Sequence, residues 1–98
     1  MKKNEGGLFS QVYIISVESM KVEVRFFARC REVVGEKVKE LEVDEGTKLL
    51  DFIDLLLTRY PELKNEHLIV SLNHKYAALN ERLNEHDVLA VFPPVSGG

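Results

Sequence analysis

Lys21-Val22-Glu23-Val24-Arg25-Phe26 alternates polar and apolar residues without a break. Successive side chains of a strand point to opposite faces, so Val22, Val24 and Phe26 share one face and the stretch reads as a half-buried β-strand. Phe27 follows on the opposite face. Lys39-Glu40-Leu41-Glu42-Val43 alternates in the same way and predicts a second strand, closed by a turn at Asp44-Glu45-Gly46. Between the two, Ala28 to Gly35 is a connection with room for one helical turn. Thr47 is a suitable helix N-cap. Leu49, Ile53, Leu56 and Tyr60, with Leu50 and Leu57 beside them, then form a wide apolar stripe over a helix from Lys48 to Tyr60. Pro61 ends that helix. Leu68 to Leu72 reads as a third strand. Asn73-His74 is a tight turn after which Lys75-Tyr76-Ala77 can pair back. A loop through Asn84-Glu85-His86-Asp87 leads into a final strand, Val88 to Phe92. Strands gathered around one helix in so short a chain imply an α+β roll, with a mixed sheet of four to five strands packed on one main helix.

The chain has 98 residues, room for one domain, and 45% of them are hydrophobic, enough for a modest core. Thirteen basic and sixteen acidic residues give a net charge of -3, which argues against a nucleic-acid binder and suits docking on proteins. Cys30 is the single cysteine, so no intrachain disulfide can form and a reducing, cytoplasmic setting is expected. No apolar run approaches the 18 or so residues of a membrane span. Residues 1–19 differ in character: Lys2, Lys3 and Gly6-Gly7 precede a short apolar run, Val12-Tyr13-Ile14-Ile15, too short for a signal peptide. The regular pattern begins at Met20. Residues 1–19 are therefore expected to be an extension without a functional role, and residues 20–98 the working domain.

The end of the chain, Phe92-Pro93-Pro94-Val95-Ser96-Gly97-Gly98, carries the strongest functional signal. Gly97 and Gly98 have no side chain to obstruct entry into a narrow slot. Pro93 and Pro94 cannot continue a helix or donate to a central ladder. A projecting tail over residues 93–98 is expected, able to carry its carboxylate roughly 20 Å past the fold at extended-chain spacing.

Three stretches together resemble one family. Phe26-Phe27-Ala28-Arg29-Cys30-Arg31-Glu32-Val33-Val34-Gly35 is similar to the FFAxxRExxG segment of molybdopterin synthase small subunits, the MoaD family of MoaD/ThiS-like sulfur carriers. Asp44-Glu45-Gly46-Thr47 resembles that family's turn into its helix, and Val91 to Gly98 its FFPPVxGG ending. The resemblance covers residues 20–98. Asn84-Glu85-His86-Asp87 stands where an Asp-Gly-Asp turn is often seen, which implies a changed loop and an unchanged function.

The resemblance implies a β-grasp, ubiquitin-like fold and a sulfur-carrier role. The Gly98 carboxylate is adenylated by an E1-like enzyme using ATP, a sulfur donor converts it to a thiocarboxylate, and the tail enters the large subunit of molybdopterin synthase. There the sulfur passes to the pterin precursor of the molybdenum or tungsten cofactor. Such a chain binds no cofactor or metal and brings no catalytic side chain. It is the non-catalytic subunit of a sulfurtransferase. Phe27, Tyr76 and Phe92 are the expected partner interface, since a cluster of exposed aromatic rings marks a docking site. Two other roles remain open: a ubiquitin-like modifier joined to lysines, and a thiazole-pathway carrier, against which the FFAxxRE segment and Pro93-Pro94-Val95 argue.

Other residues read as structural. Cys30 between Arg29 and Arg31 could be a reactive thiolate, but a packed thiol is the better reading. His67, His74 and His86 lack metal-ligand spacing. Asp44 and Glu45 are a charged turn.

Overall fold

The computed structural model describes residues 18–94. Among the described residues, strand β1 (Ser19–Phe26) is followed by helix α1 (Ala28–Val34), strand β2 (Val38–Asp44), helix α2 (Leu49–Arg59), a 3-10 turn over Pro61–Asn65, strand β3 (Ile69–Leu72) and strand β4 (Val88–Phe92). The four strands form one sheet in the order β2-β1-β4-β3. β1 is antiparallel to β2 and parallel to β4, and β3 is antiparallel to β4. This is the mixed α+β sheet expected, and the last strand in sequence lies in its interior. Among the described residues, no helix is long and apolar enough to cross a membrane.

Alternation sets the core. Val22, Val24 and Phe26 on β1, Leu41 and Val43 on β2, Leu72 on β3, and Leu89 and Val91 on β4 are all buried. Helix α2 covers them with Leu49, Phe52 and Leu56, while Ile53, Leu57 and Tyr60 pack at the margin. The helical stripe therefore differs from the expected one. Phe52 lies at its centre and Leu50 faces out, because the buried row runs i, i+3, i+7 from Leu49. Leu50 instead donates its amide to the Leu79 carbonyl at 2.9 Å, which fixes the incoming loop on the helix start.

Several boundaries move for local reasons. β1 begins at Ser19, paired with Asp44, and the Glu18 carbonyl accepts a hydrogen bond from the Glu45 amide at 2.8 Å. The ladder thus takes in Glu18 and Ser19, which the sequence reading assigned to the extension; residues 1–17 lie outside the described residues. Thr47 does not cap α2. Its hydroxyl donates to the Asp44 carbonyl at 2.6 Å and closes the turn, and the cap position falls to Lys48, whose amide donates to the Asp51 carboxylate at 3.2 Å. Lys75-Tyr76-Ala77 does not form a strand. Asn73 and His74 both have positive φ, the two-residue hairpin turn expected, but pairing stops after the single Leu72–Lys75 bridge.

Candidate functional site: the root of the C-terminal tail

β1 and β4 run side by side in the same direction, so both end at one edge of the sheet. At that edge the Phe27 amide donates to the Val91 carbonyl at 3.0 Å. The Phe27 and Phe92 rings then meet edge to face, with centroids 6.4 Å apart and planes at 82°. Aromatic pairs favour this arrangement, which sets the positive ring edge on the negative ring face. Phe27 is 47% exposed and Phe92 half-buried. Pro93 and Pro94 leave the sheet directly from this pair. Val95, Ser96, Gly97 and Gly98 lie outside the described residues.

The chain's turn from β1 into α1 explains how Phe27 stays on the outer face. Ala28 takes a left-handed φ of 53°. That conformation costs roughly 1–2 kcal/mol for a residue with a Cβ. It reverses the chain so that the Cys30 amide donates to the Phe27 carbonyl at 3.0 Å and Cys30 drops into the core. α1 spans seven residues, longer than the single turn expected, and stops where Gly35 adopts φ 86° and returns its amide to the Arg31 carbonyl at 2.7 Å. The glycine of the FFAxxRExxG segment is thus a left-handed helix cap.

Around the aromatic pair the outward face of the sheet is largely apolar. Val88, Ala90 and Phe92 alternate with the buried Leu89 and Val91 and point outward, half-covered by neighbours. Ile69 stands opposite Phe92 on β3. Phe27 and Phe92 are evident on this face from the sequence, whereas Val88, Ala90 and Ile69 join them only in the structure. Counting period two through β4 would have found Val88 and Ala90. Tyr76 is the most exposed large apolar residue described, at 80%, and its ring makes no contact with the other two. The structure therefore brings together two of the three expected interface aromatics.

Opposite the tail root, a buried carboxylate pins the start of β4. Asp87 accepts hydrogen bonds from the Asn73 side-chain amide at 2.9 Å and the Asn84 backbone amide at 2.7 Å. Asn73 in turn accepts from the Val88 amide at 2.9 Å. The loop at Asn84-Glu85-His86-Asp87 keeps this aspartate, and His86 supports a φ of 67°, a conformation for which glycine is the natural residue.

Cys30 is fully buried, and burial, reinforced by the nearby Glu66 carboxylate, pushes its thiol pKa up. Arg29 does not activate it. Its guanidinium pairs with Glu32 at 3.0 Å and Glu66 at 3.7 Å. A raised pKa and no access make Cys30 an inert packing group.

Comparison with known proteins agrees with this architecture. The model of the ThiS family matches residues 24–98. The molybdopterin synthase sulfur carrier subunit of Arabidopsis thaliana is 30% identical over 82% of this chain and 85% of its own length. The crystal structure of small archaeal modifier protein 1 from Haloferax volcanii superposes with a TM-score of 0.69 at 34% identity, covering 80% of this chain and 99% of that one. A chain from the complex of subunits 1 and 2 of molybdopterin-converting factor from Helicobacter pylori gives a TM-score of 0.59 at 29% identity, over 81% of this chain and all of that one. With three-quarters of its length inside one family model and the mixed sheet and helices of those relatives, this chain belongs to the ThiS family, within the MoaD/ThiS group of ubiquitin-like β-grasp sulfur carriers.

Proposed function

We propose that this chain is the sulfur-carrying small subunit of molybdopterin synthase and that the carboxylate of Gly98 is its reactive group. One observation carries the reading: the interior strand β4 runs directly into Pro93-Pro94 beside the outward Phe27–Phe92 pair. A tail anchored in the middle of a sheet has a fixed origin and direction. Its apolar collar gives a partner something to grip while the thin Gly97-Gly98 end enters a slot. Similarity to a sulfur carrier subunit from Arabidopsis and to a two-subunit complex from Helicobacter supports the same reading.

The chemistry needs no side chain from this domain. A carboxylate resists nucleophiles. Attack of its oxygen on ATP, catalysed by an E1-like partner, releases pyrophosphate and leaves an acyl-adenylate. A donor delivering sulfide-level sulfur (HS−) then attacks the carbonyl carbon, expels AMP and leaves a thiocarboxylate, a strong nucleophile at neutral pH. Inside the large subunit that sulfur attacks the pterin precursor, on the way to a molybdenum or tungsten cofactor. Pro93 and Pro94 restrict the tail before binding, so less entropy is lost when it is threaded. This chain's contributions are reach, thinness and the docking face.

Intact mass after incubation with an E1-like enzyme, ATP and a sulfur donor tests this. The expected product is heavier by the difference between one sulfur and one oxygen, and it forms pterin dithiolene with the large subunit. Absence of that mass change overturns the reading. The likeness to small archaeal modifier protein 1 favours a second role, joining of Gly98 to lysines of other proteins after the same adenylation. Isopeptides ending in Gly97-Gly98 on cellular proteins would mark it.

A further inference from the structure

The docking face described above carries a charge that its apolar function does not explain. Strand register places Val38, Arg25, Ala90 and Ser71 in one row across the sheet. All four point away from the core, because their strand neighbours Val24, Phe26, Leu89, Val91 and Leu72 are the buried ones. Arg25 is the only charged residue of that row. It stands one outward step from Phe27 on one side and from Glu23 on the other. Glu23 lies in the next row with Glu40 and Val88. Ala90 and Ser71 are small, so the two residues that share its row on β4 and β3 do not rise over its side chain.

Arg25 has one partner among the described residues. Its Nε donates to the Glu23 carboxylate, and both side chains remain substantially open to water, at 44% and 37%. That contact uses the side of the guanidinium and leaves the end-on pair of Nη groups for a second acceptor. A planar guanidinium with such an edge free takes a carboxylate through two parallel hydrogen bonds. The surrounding row sharpens the requirement. A partner that covers Phe27, Phe92 and Ala90 also removes water from Arg25. A guanidinium stripped of water without an added acceptor opposes binding strongly, whereas one met by a carboxylate holds the register of the complex.

We propose that Arg25 is a specificity-determining residue of the docking face, and that the partner surface seated on Phe27 and Phe92 presents a carboxylate side chain to it. The inference rests on the docking role assigned to that face. It adds the chemistry of the partner: an apolar patch with an Asp or Glu placed one strand-step inside the aromatic pair. An apolar surface lacking the acid is rejected.

Calorimetric titration against the large synthase subunit from the same genome tests this at low and moderate salt, with parent, Arg25→Leu, Arg25→Lys and Phe92→Ala chains. Arg25→Leu should weaken binding at least tenfold. Arg25→Lys should recover part of the loss, because the charge remains and the bidentate geometry does not. Added salt should weaken the parent complex more than the Arg25→Leu complex. The unfolding midpoints of both Arg25 variants should match the parent, as the side chain is exposed. Parent-like affinity for Arg25→Leu, with binding lost in Phe92→Ala, overturns the role of Arg25 and leaves the docking face standing. Equal losses for Leu and Lys without a change in salt response also overturn it, since the charge would then contribute nothing to binding. Parent-like affinity for Phe92→Ala breaks the docking reading itself.

Discussion

The two faces of β4 make different use of the same five residues. Leu89 and Val91 are completely buried between the sheet and α2, while Val88, Ala90 and Phe92 stand half-covered on the other side. β1 repeats the contrast, with Val22, Val24 and Phe26 inside and Glu23, Arg25 and, just past its end, Phe27 outside. The inner face is closed by this chain's own helix. The outer face has aromatic and aliphatic groups that no described element covers. Strand alternation alone therefore separates residues that hold the domain together from those free to meet another protein.

The sharpest way to break that contrast acts past its end. Deleting Gly98, or extending the chain beyond it, should abolish the proposed sulfur transfer entirely while leaving the unfolding curve unchanged, since Gly98 lies six residues past the last strand in sequence. An extended, untrimmed chain that still supports pterin synthesis would remove the tail from the mechanism. Next, Phe52→Ala should cost about 3–5 kcal/mol of stability, the usual price of an aromatic-sized cavity in a closed core. A denaturant midpoint close to the parent's would show that the inner face is not packed as described.

Phe92→Ala and Phe27→Ala should show the reverse pattern. Loss of the ring pair should lower stability by about 1 kcal/mol and weaken docking to the large subunit by about 2 kcal/mol or more. Titration and unfolding of the same samples separate the two, and a larger effect on stability than on affinity would move that ring to the core side. A smaller effect concerns Cys30. Its thiol pKa is raised in the folded state by burial and by Glu66. The folded form therefore holds its proton after the unfolded form has released it, and stability falls as pH rises through the ordinary thiol range. The parent should lose more stability on that climb than Cys30→Ala, and its thiol should resist alkylation until the chain unfolds. The smallest expected change is a gain. His86→Gly should stabilise the domain by about 1 kcal/mol, by relieving a left-handed backbone. A lower unfolding midpoint would show that the imidazole makes a contact worth more than the strain.

Much of this fold is visible in the sequence because one face of each long strand is buried. The alternations at Lys21–Phe26 and Lys39–Val43 fixed both strands and the sense of Phe27. What escaped depended on contacts distant in sequence. Leu50 and Phe52 are equally apolar, and the buried row Leu49-Phe52-Leu56 is chosen by which side of α2 the sheet occupies. Lys75-Tyr76-Ala77 has good strand residues, yet the chain leaves after Lys75 to bring Leu79 to the start of α2. Glu18 and Ser19 join the sheet through backbone bonds to Glu45 and Asp44, which side-chain pattern does not reveal. At the candidate site, Phe27 and Phe92 were legible from alternation and from the resemblance. Their contact, and the row that holds Arg25, required the parallel register of β1 and β4.

The interior position of β4 has a mechanical consequence. A tail held in a partner's slot and pulled back transmits its load along the axis of β4. Ladder bonds to β1 on one side and β3 on the other lie across that axis. Tension therefore loads them together in shear and does not peel them one at a time, as it would on a strand tugged sideways from an edge. On the proposed mechanism, such an anchor would stay folded while the tail is withdrawn, leaving the same domain for another round.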